Sequence, residues 1–168
     1  RLAAAQFSEH SFDPNSITPI QLRRAYELAR WINHHQGLEI LKAASIEYQW
    51  ALDLSSIARI WTNGCIIRSA LMEELSVSLE SKPDLLFSRL NRVVELMPDL
   101  TRTVTSALAA GLAVPCLSSA LNFVLGFTSA DSPINLIQAQ RDFFGAHTYR
   151  RKDDPYGKSY HTNWEQYK

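Results

Sequence analysis

Apolar residues recur at intervals of three and four through most of this chain. Leu22, Ala25, Ala29 and Ile32 are followed by Leu38, Leu41, Ala44 and Tyr48, the spacing that lines one face of an α-helix. Thr18-Pro19-Ile20-Gln21 opens the run with a capping hydroxyl, a proline suited to the first helical position and a glutamine able to bond back to the cap. The pattern predicts a long helix from Pro19 toward Trp50, with Gly37 its one weak point. Asp53 is a cap for a second stripe, Ile57, Ile60, Trp61, Ile66, Ile67, Ala70, Leu71 and Leu75, which runs to about Leu79 with an interruption at Asn63-Gly64.

Ser81-Lys82-Pro83-Asp84 is a loop signal. Two helical stretches are predicted after it, Leu85 to Leu96 and Asp99 to Ala110, divided at Pro98 because proline lacks the N–H that continues a helix. Gly111 reads as a C-terminal cap residue. Val114-Pro115 restarts the chain into an apolar helix over Leu117 to Phe127, and Ser132-Pro133 opens a last helix through Leu136, Ala139 and Phe143. No run alternates apolar and polar β-branched residues, so the predicted fold class is all-α. From Arg150 onward the composition turns charged and aromatic with Pro, Gly and Ser, the mark of an extended tail. Its tyrosines and Trp164 predict that this tail docks.

Composition narrows the classes. The 168 residues are 46% hydrophobic and 20% charged, the usage of a soluble globular domain. Lys plus Arg and Asp plus Glu are 17 each, so no whole-molecule field draws a nucleic acid or an anionic membrane. No apolar run reaches the ~20 residues of a membrane span, and Arg1-Leu2-Ala3-Ala4-Ala5 lacks the apolar core of a signal peptide. A cytoplasmic protein is expected. Cys65 and Cys116 lie in apolar segments and are expected as buried, reduced thiols.

Most chemistry is then excluded. The six glycines form neither a G-x-G-x-x-G nor a G-x-x-x-x-G-K-[ST] loop, so no cofactor site for a dinucleotide is expected within this chain. His34 and His35 point about 100° apart on a helix, and no acidic residue is expected at a ligand spacing that would complete a site with either, so no metal is expected. No G-x-S-x-G elbow marks a serine hydrolase. Arg141 and His147 stand apart. A guanidinium fork and an imidazole, six positions apart with Gly145 between them, suit the oxygens of a phosphate or carboxylate if both face one ligand after the chain bends. Spacing alone leaves a second reading open, in which Arg141 pairs with Asp142 or a neighbouring carboxylate and His147 packs at the helix end.

The strings LIQAQRDFFGAHTY (136–149), WTNGCIIRS (61–69), HHQGLEIL (34–41) and HTNW (161–164) resemble the C-terminal helical domain of decarboxylating 6-phosphogluconate dehydrogenases, in order and over nearly the whole chain. The resemblance implies a helical domain over 1–149 and a tail over 150–168 that inserts into the other subunit of a homodimer. It implies oxidative decarboxylation of 6-phosphogluconate to ribulose 5-phosphate, a pentose phosphate pathway step, with NADP bound by a preceding dinucleotide-binding domain. Arg141 and His147 fall where that family holds the substrate phosphate, serving the partner's active site, and His161, Thr162, Asn163 and Trp164 fall where the tail anchors. The family's general base lysine and proton-donating glutamic acid have no counterpart here, so this segment carries no catalytic residue and is expected to be inactive by itself. Thr62-Asn63 replaces the Arg-Gly usual before the Gly-Cys-Ile-Ile-Arg-Ser string, and Arg68 within that string is expected to pair with a carboxylate. A stand-alone helical dimerisation or interaction module without catalysis is the alternative. The related 3-hydroxyacid dehydrogenases share the cofactor domain but lack the QRD-to-HTNW tail.

Overall fold

The computed structural model describes residues 11, 13–81, 84–154 and 156–167; Arg1 to Ala5 and the Lys82-Pro83 part of the loop signal lie outside them. The chain separates into two compact units, Arg1–Val124 and Leu125–Lys168. Among the described residues the ordered elements are helices, with only isolated β-bridges beside them. The all-α expectation therefore holds.

In the first unit, α1 (Pro19–Glu47) begins where the capping signals place it. Thr18 Oγ1 accepts the Gln21 N–H at 3.3 Å while Gln21 Oε1 accepts the Thr18 N–H at 2.9 Å. The helix stops short of Trp50. Gln49 and Ala51 both take left-handed backbone conformations, and Ser45 Oγ accepts the Leu52 N–H at 2.8 Å, so the chain turns away before the apolar pattern ends. Asp53 caps α2 (Leu54–Trp61), accepting from the Ser55 and Ser56 N–H groups; the Ser56 hydroxyl, bonded at 2.5 Å, holds its carboxyl below the usual range. Gly64, at φ 75°, interrupts the stripe as expected, and Ser69 caps α3 (Ala70–Ser78).

The division at Pro98 is not observed. A 3₁₀ turn, Phe87–Arg89, leads into α4 (Leu90–Ala109), which runs straight through Pro98. Val93, Leu96, Leu100, Thr103 and Val104 are buried on one face of it, and burial of that stripe on both sides of the proline outweighs the missing hydrogen bond. Gly111 does end the helix, at φ 72°, with the Leu112 N–H bonded to the Ala107 carbonyl and the Gly111 N–H to the Leu108 carbonyl.

Helix α4 packs along α1, and α2 packs against α3. Leu28 and Ile32 of α1, Met72 and Leu75 of α3, and Leu96 and Leu100 of α4 are fully buried in one cluster, with Leu121 and Val124 of α5 (Pro115–Thr128). Arg24 bonds Asp99 at 2.6 Å and Glu95 at 3.1 Å, and Arg92 bonds Glu27, cross-linking α1 and α4 along their outer edge.

The second unit holds the end of α5, then α6 (Ile134–Gly145) and the tail. Ser132 and Pro133 precede α6 as predicted. The helix ends at Ala146, whose left-handed backbone (φ 47°) sends its N–H to the Asp142 carbonyl at 2.9 Å.

Candidate functional site

Beyond Ala146 the chain reverses. Thr148 is also left-handed, at φ 61°, so His147 sits between two residues of positive φ. Gly145 makes room for this turn: a Cβ on it would stand 2.8 Å from the His147 ring. The tail then returns along itself. Tyr149 and Tyr160 exchange both backbone hydrogen bonds at 2.9 Å, their rings stack at 6.3 Å, and the Tyr149 hydroxyl meets Thr162 Oγ1 at 2.8 Å. Within the returning loop Arg151 lies over the Tyr160 ring, and the Tyr160 hydroxyl donates to Asp154 at 2.7 Å, which raises the phenol above its usual value.

Asp142 holds this arrangement together. It is 0% exposed, and its carboxylate accepts four hydrogen bonds. Oδ1 takes the Thr148 N–H at 2.9 Å and His161 Nδ1 at 3.0 Å; Oδ2 takes the Thr162 N–H at 3.0 Å and the Trp164 indole N–H at 2.9 Å. Burial by itself raises a carboxyl, but the bonds from Thr162, His161, Trp164 and Thr148 outweigh it and hold Asp142 well below the ordinary carboxylate range. The sequence reading missed this residue except as a partner for Arg141. The signal lay in the donors that follow it, Thr148 and the HTNW string.

Arg141 and His147 are both exposed. Among the described residues Arg141 makes no ion pair, and the Asp142 carboxylate is turned toward the tail. His147 meets the Phe144 ring edge-on at 5.8 Å. Neither lines the groove of about 710 Å³ beside the tail, whose walls include Gln138, Thr148, Tyr149, Lys152 and Trp164.

The HTNW residues find partners within the same chain. Besides its bond to Asp142, Trp164 packs edge-on against Phe143 at 5.9 Å. The tail is thus seated on the last turn of its own α6 before any other subunit is considered.

Three other expectations change. Both cysteines are free, but Cys116 is exposed in the first turn of α5 and Cys65 is half-buried between α2 and α3, so neither is a core thiol. Arg68 is exposed in the turn before α3, where none of the ion pairs among the described residues includes it. And an acid does stand at ligand spacing: Glu39 follows the buried His35 by one helical turn, and Asp84 joins them, with donor atoms within 4.8 Å of one another. The Thr62 hydroxyl donates to the Arg59 carbonyl at 2.7 Å and closes α2. No helix among the described residues is long and apolar enough to cross a membrane.

Comparison with known proteins agrees with this architecture. The sequence profile of 6-phosphogluconate dehydrogenase, C-terminal domain, matches residues 3–164. A 6-phosphogluconate dehydrogenase, decarboxylating, from Chlamydia muridarum is 41% identical over 174 residues, covering 98% of this chain and 36% of the relative. Its counterpart from Aggregatibacter actinomycetemcomitans is 39% identical over 148 residues, 85% of this chain and 31% of the relative. The solved Plasmodium falciparum 6-phosphogluconate dehydrogenase, described in its apo form and in complexes with its cofactor NADP+ and its substrate 6-phosphogluconate, superposes with a TM-score of 0.83 at 33% identity, over 97% of this chain and 37% of that one. The chain thus spans about a third of the relatives it matches. It belongs to the 6-phosphogluconate dehydrogenase family, within which it corresponds to the C-terminal helical domain.

Proposed function

We propose that this chain is the part of a decarboxylating 6-phosphogluconate dehydrogenase that grips the phosphate end of 6-phosphogluconate, with Arg141 and His147 as the two phosphate ligands. The observation that carries the reading is the state of Arg141. Its guanidinium is exposed, and the adjacent Asp142 carboxylate is occupied by four other donors, so the charge is available to an external anion. His147 stands exposed on the turn that follows, where Gly145 admits its ring. A guanidinium and an imidazole supply charge-assisted donors to phosphate oxygens, which a neutral sugar cannot exploit.

NADP, the cofactor named for the solved relative, is assigned to the part of the enzyme outside these residues, and no redox step is assigned to this chain. Its contribution is binding and orientation of the substrate's distal end, which lets remote binding energy serve the reacting carbon. The exposed apolar side chains, among them Ile66 at 99%, Leu136 at 75% and Phe144 at 66%, favour the homodimer, in which the seated tail and α6 present the clamp to the neighbouring active site.

The test is kinetic. In the complete enzyme, Arg141→Ala and His147→Ala each raise the KM for 6-phosphogluconate by roughly 10- to 100-fold, the loss of one charge-assisted hydrogen bond, with a much smaller change in kcat. Wild-type KM in both variants rejects the reading.

A further inference from the structure

We propose that Asp142 is a positioning residue for substrate phosphate binding, fixing the turn that carries His147 and tying that turn to the tail. The proposal rests on the phosphate-clamp reading above and adds to it the residue that gives the clamp its shape.

The geometry is specific. Asp142 follows Arg141 directly, and it bonds both residues that flank His147: its carbonyl takes the Ala146 N–H at 2.9 Å and its Oδ1 takes the Thr148 N–H at 2.9 Å. His147 is therefore suspended between two points fixed to one side chain and its own backbone. Ala146 and Thr148 pay for left-handed conformations that non-glycine residues adopt only when the surroundings impose them. The bond from Thr148 to a fully buried carboxylate is such an imposition. The same carboxylate holds His161, Thr162 and Trp164, so the tail packs down over the carboxylate that fixes the turn. A surface role does not explain this burial. A carboxylate removed from water needs its acceptors filled, and here every filling donor belongs either to the His147 turn or to the tail.

Asparagine at this position keeps the shape but turns an amide N–H₂ toward donors on one side. In the complete enzyme, KM and kcat for 6-phosphogluconate are measured for wild type, His147→Ala, Asp142→Asn and the double variant. A residue acting through His147 raises KM about 10-fold by itself with kcat within about 3-fold, and adds less than about 2-fold to KM once His147 is gone. Two results overturn the proposal: an unchanged KM in Asp142→Asn, or a full, additive effect in the double variant. If His147→Ala leaves KM at the wild-type value, His147 is not a phosphate ligand and this proposal falls with that half of the clamp; if His147→Ala raises KM and Asp142→Asn does not, only this proposal fails. Should Asp142→Asn not fold, Trp164→Phe, which removes one donor to the carboxylate and retains an aromatic ring for Phe143, replaces it in the same cycle, with a smaller rise in KM that is again lost in the His147→Ala background, and additivity there counting against the proposal.

Discussion

Trp164 and Asp142 lie 22 residues apart in sequence, yet the indole N–H of one donates to the buried carboxylate of the other at 2.9 Å. This bond and the edge-on contact with Phe143 seat the tail on α6. Trp164→Ala removes both. The aromatic contact is worth ~0.5–1.5 kcal/mol and a hydrogen bond to a charged acceptor ~1.5–3 kcal/mol. We expect limited proteolysis within residues 150–168 to accelerate by at least ~10-fold, while cleavage within α1 to α4 is unchanged. Equal acceleration in both regions would show that the tail's docking is not local.

The pH dependence of this docking follows from the low value of Asp142. A carboxyl whose folded value lies below its unfolded value of 3.8 binds protons more readily in the unfolded chain, so its contribution is complete above that value and declines as the pH falls below it. It vanishes only below the folded value. The difference in melting temperature between wild type and Asp142→Asn should therefore be flat from neutral pH to about pH 5 and shrink as the medium becomes more acidic than pH 4. A difference that grows on acidification contradicts the assignment of the four hydrogen bonds to the ionised carboxylate.

Gly145→Ala separates positioning from stability. Alanine favours a helix over glycine by up to ~1 kcal/mol, so melting should be unchanged or slightly higher. The added Cβ meets the His147 ring at 2.8 Å and must displace it. We expect KM for 6-phosphogluconate in the complete enzyme to rise by about 3- to 10-fold, less than in His147→Ala, because the imidazole is moved and not removed. Unchanged KM would show that the ring's place on Gly145 is irrelevant to binding.

In the first unit, packing outweighs the ion pairs. Leu100 is fully buried between α4 and its neighbours, and Leu100→Ala should cost ~2–5 kcal/mol in denaturant unfolding. Arg24 is partly exposed where it meets Asp99 and Glu95, so Arg24→Ala should cost ~1 kcal/mol or less. The reverse order would mean that the edge network, and not the apolar seam, holds α1 to α4.

Much of this fold can be read from local chemistry. Thr18, Pro19 and Gln21 build the predicted capping box, Gly111 ends α4 in the left-handed conformation, and Ser132-Pro133 precede α6, because each feature is decided within four or five residues. What escaped depends on distant partners. Pro98 reads as a break, yet burial of α4 on both sides of it carries the helix through. Cys116 stands in an apolar string but on the outward face of α5, and the face of a helix is set by what packs against it. Glu39 stands one turn after His35 and was visible, whereas Asp84 reaches them only through the fold. At the candidate site, Arg141 and His147 stand out in the sequence by residue type, as hydrogen-bond donors suited to an anion. Asp142 is not, since an acidic residue in a polar string looks solvated until four donors from later in the chain close over it.

Discrimination between a phosphorylated and an unphosphorylated substrate tests the central claim most directly. Titration calorimetry of the complete enzyme with 6-phosphogluconate and with gluconate gives two dissociation constants, and their ratio measures how much binding the phosphate supplies. If Arg141 and His147 hold the phosphate, that ratio is large in the wild type and falls by at least ~100-fold in the Arg141→Ala/His147→Ala double variant, with gluconate binding unaltered. A ratio that survives the double substitution would place the phosphate in other hands.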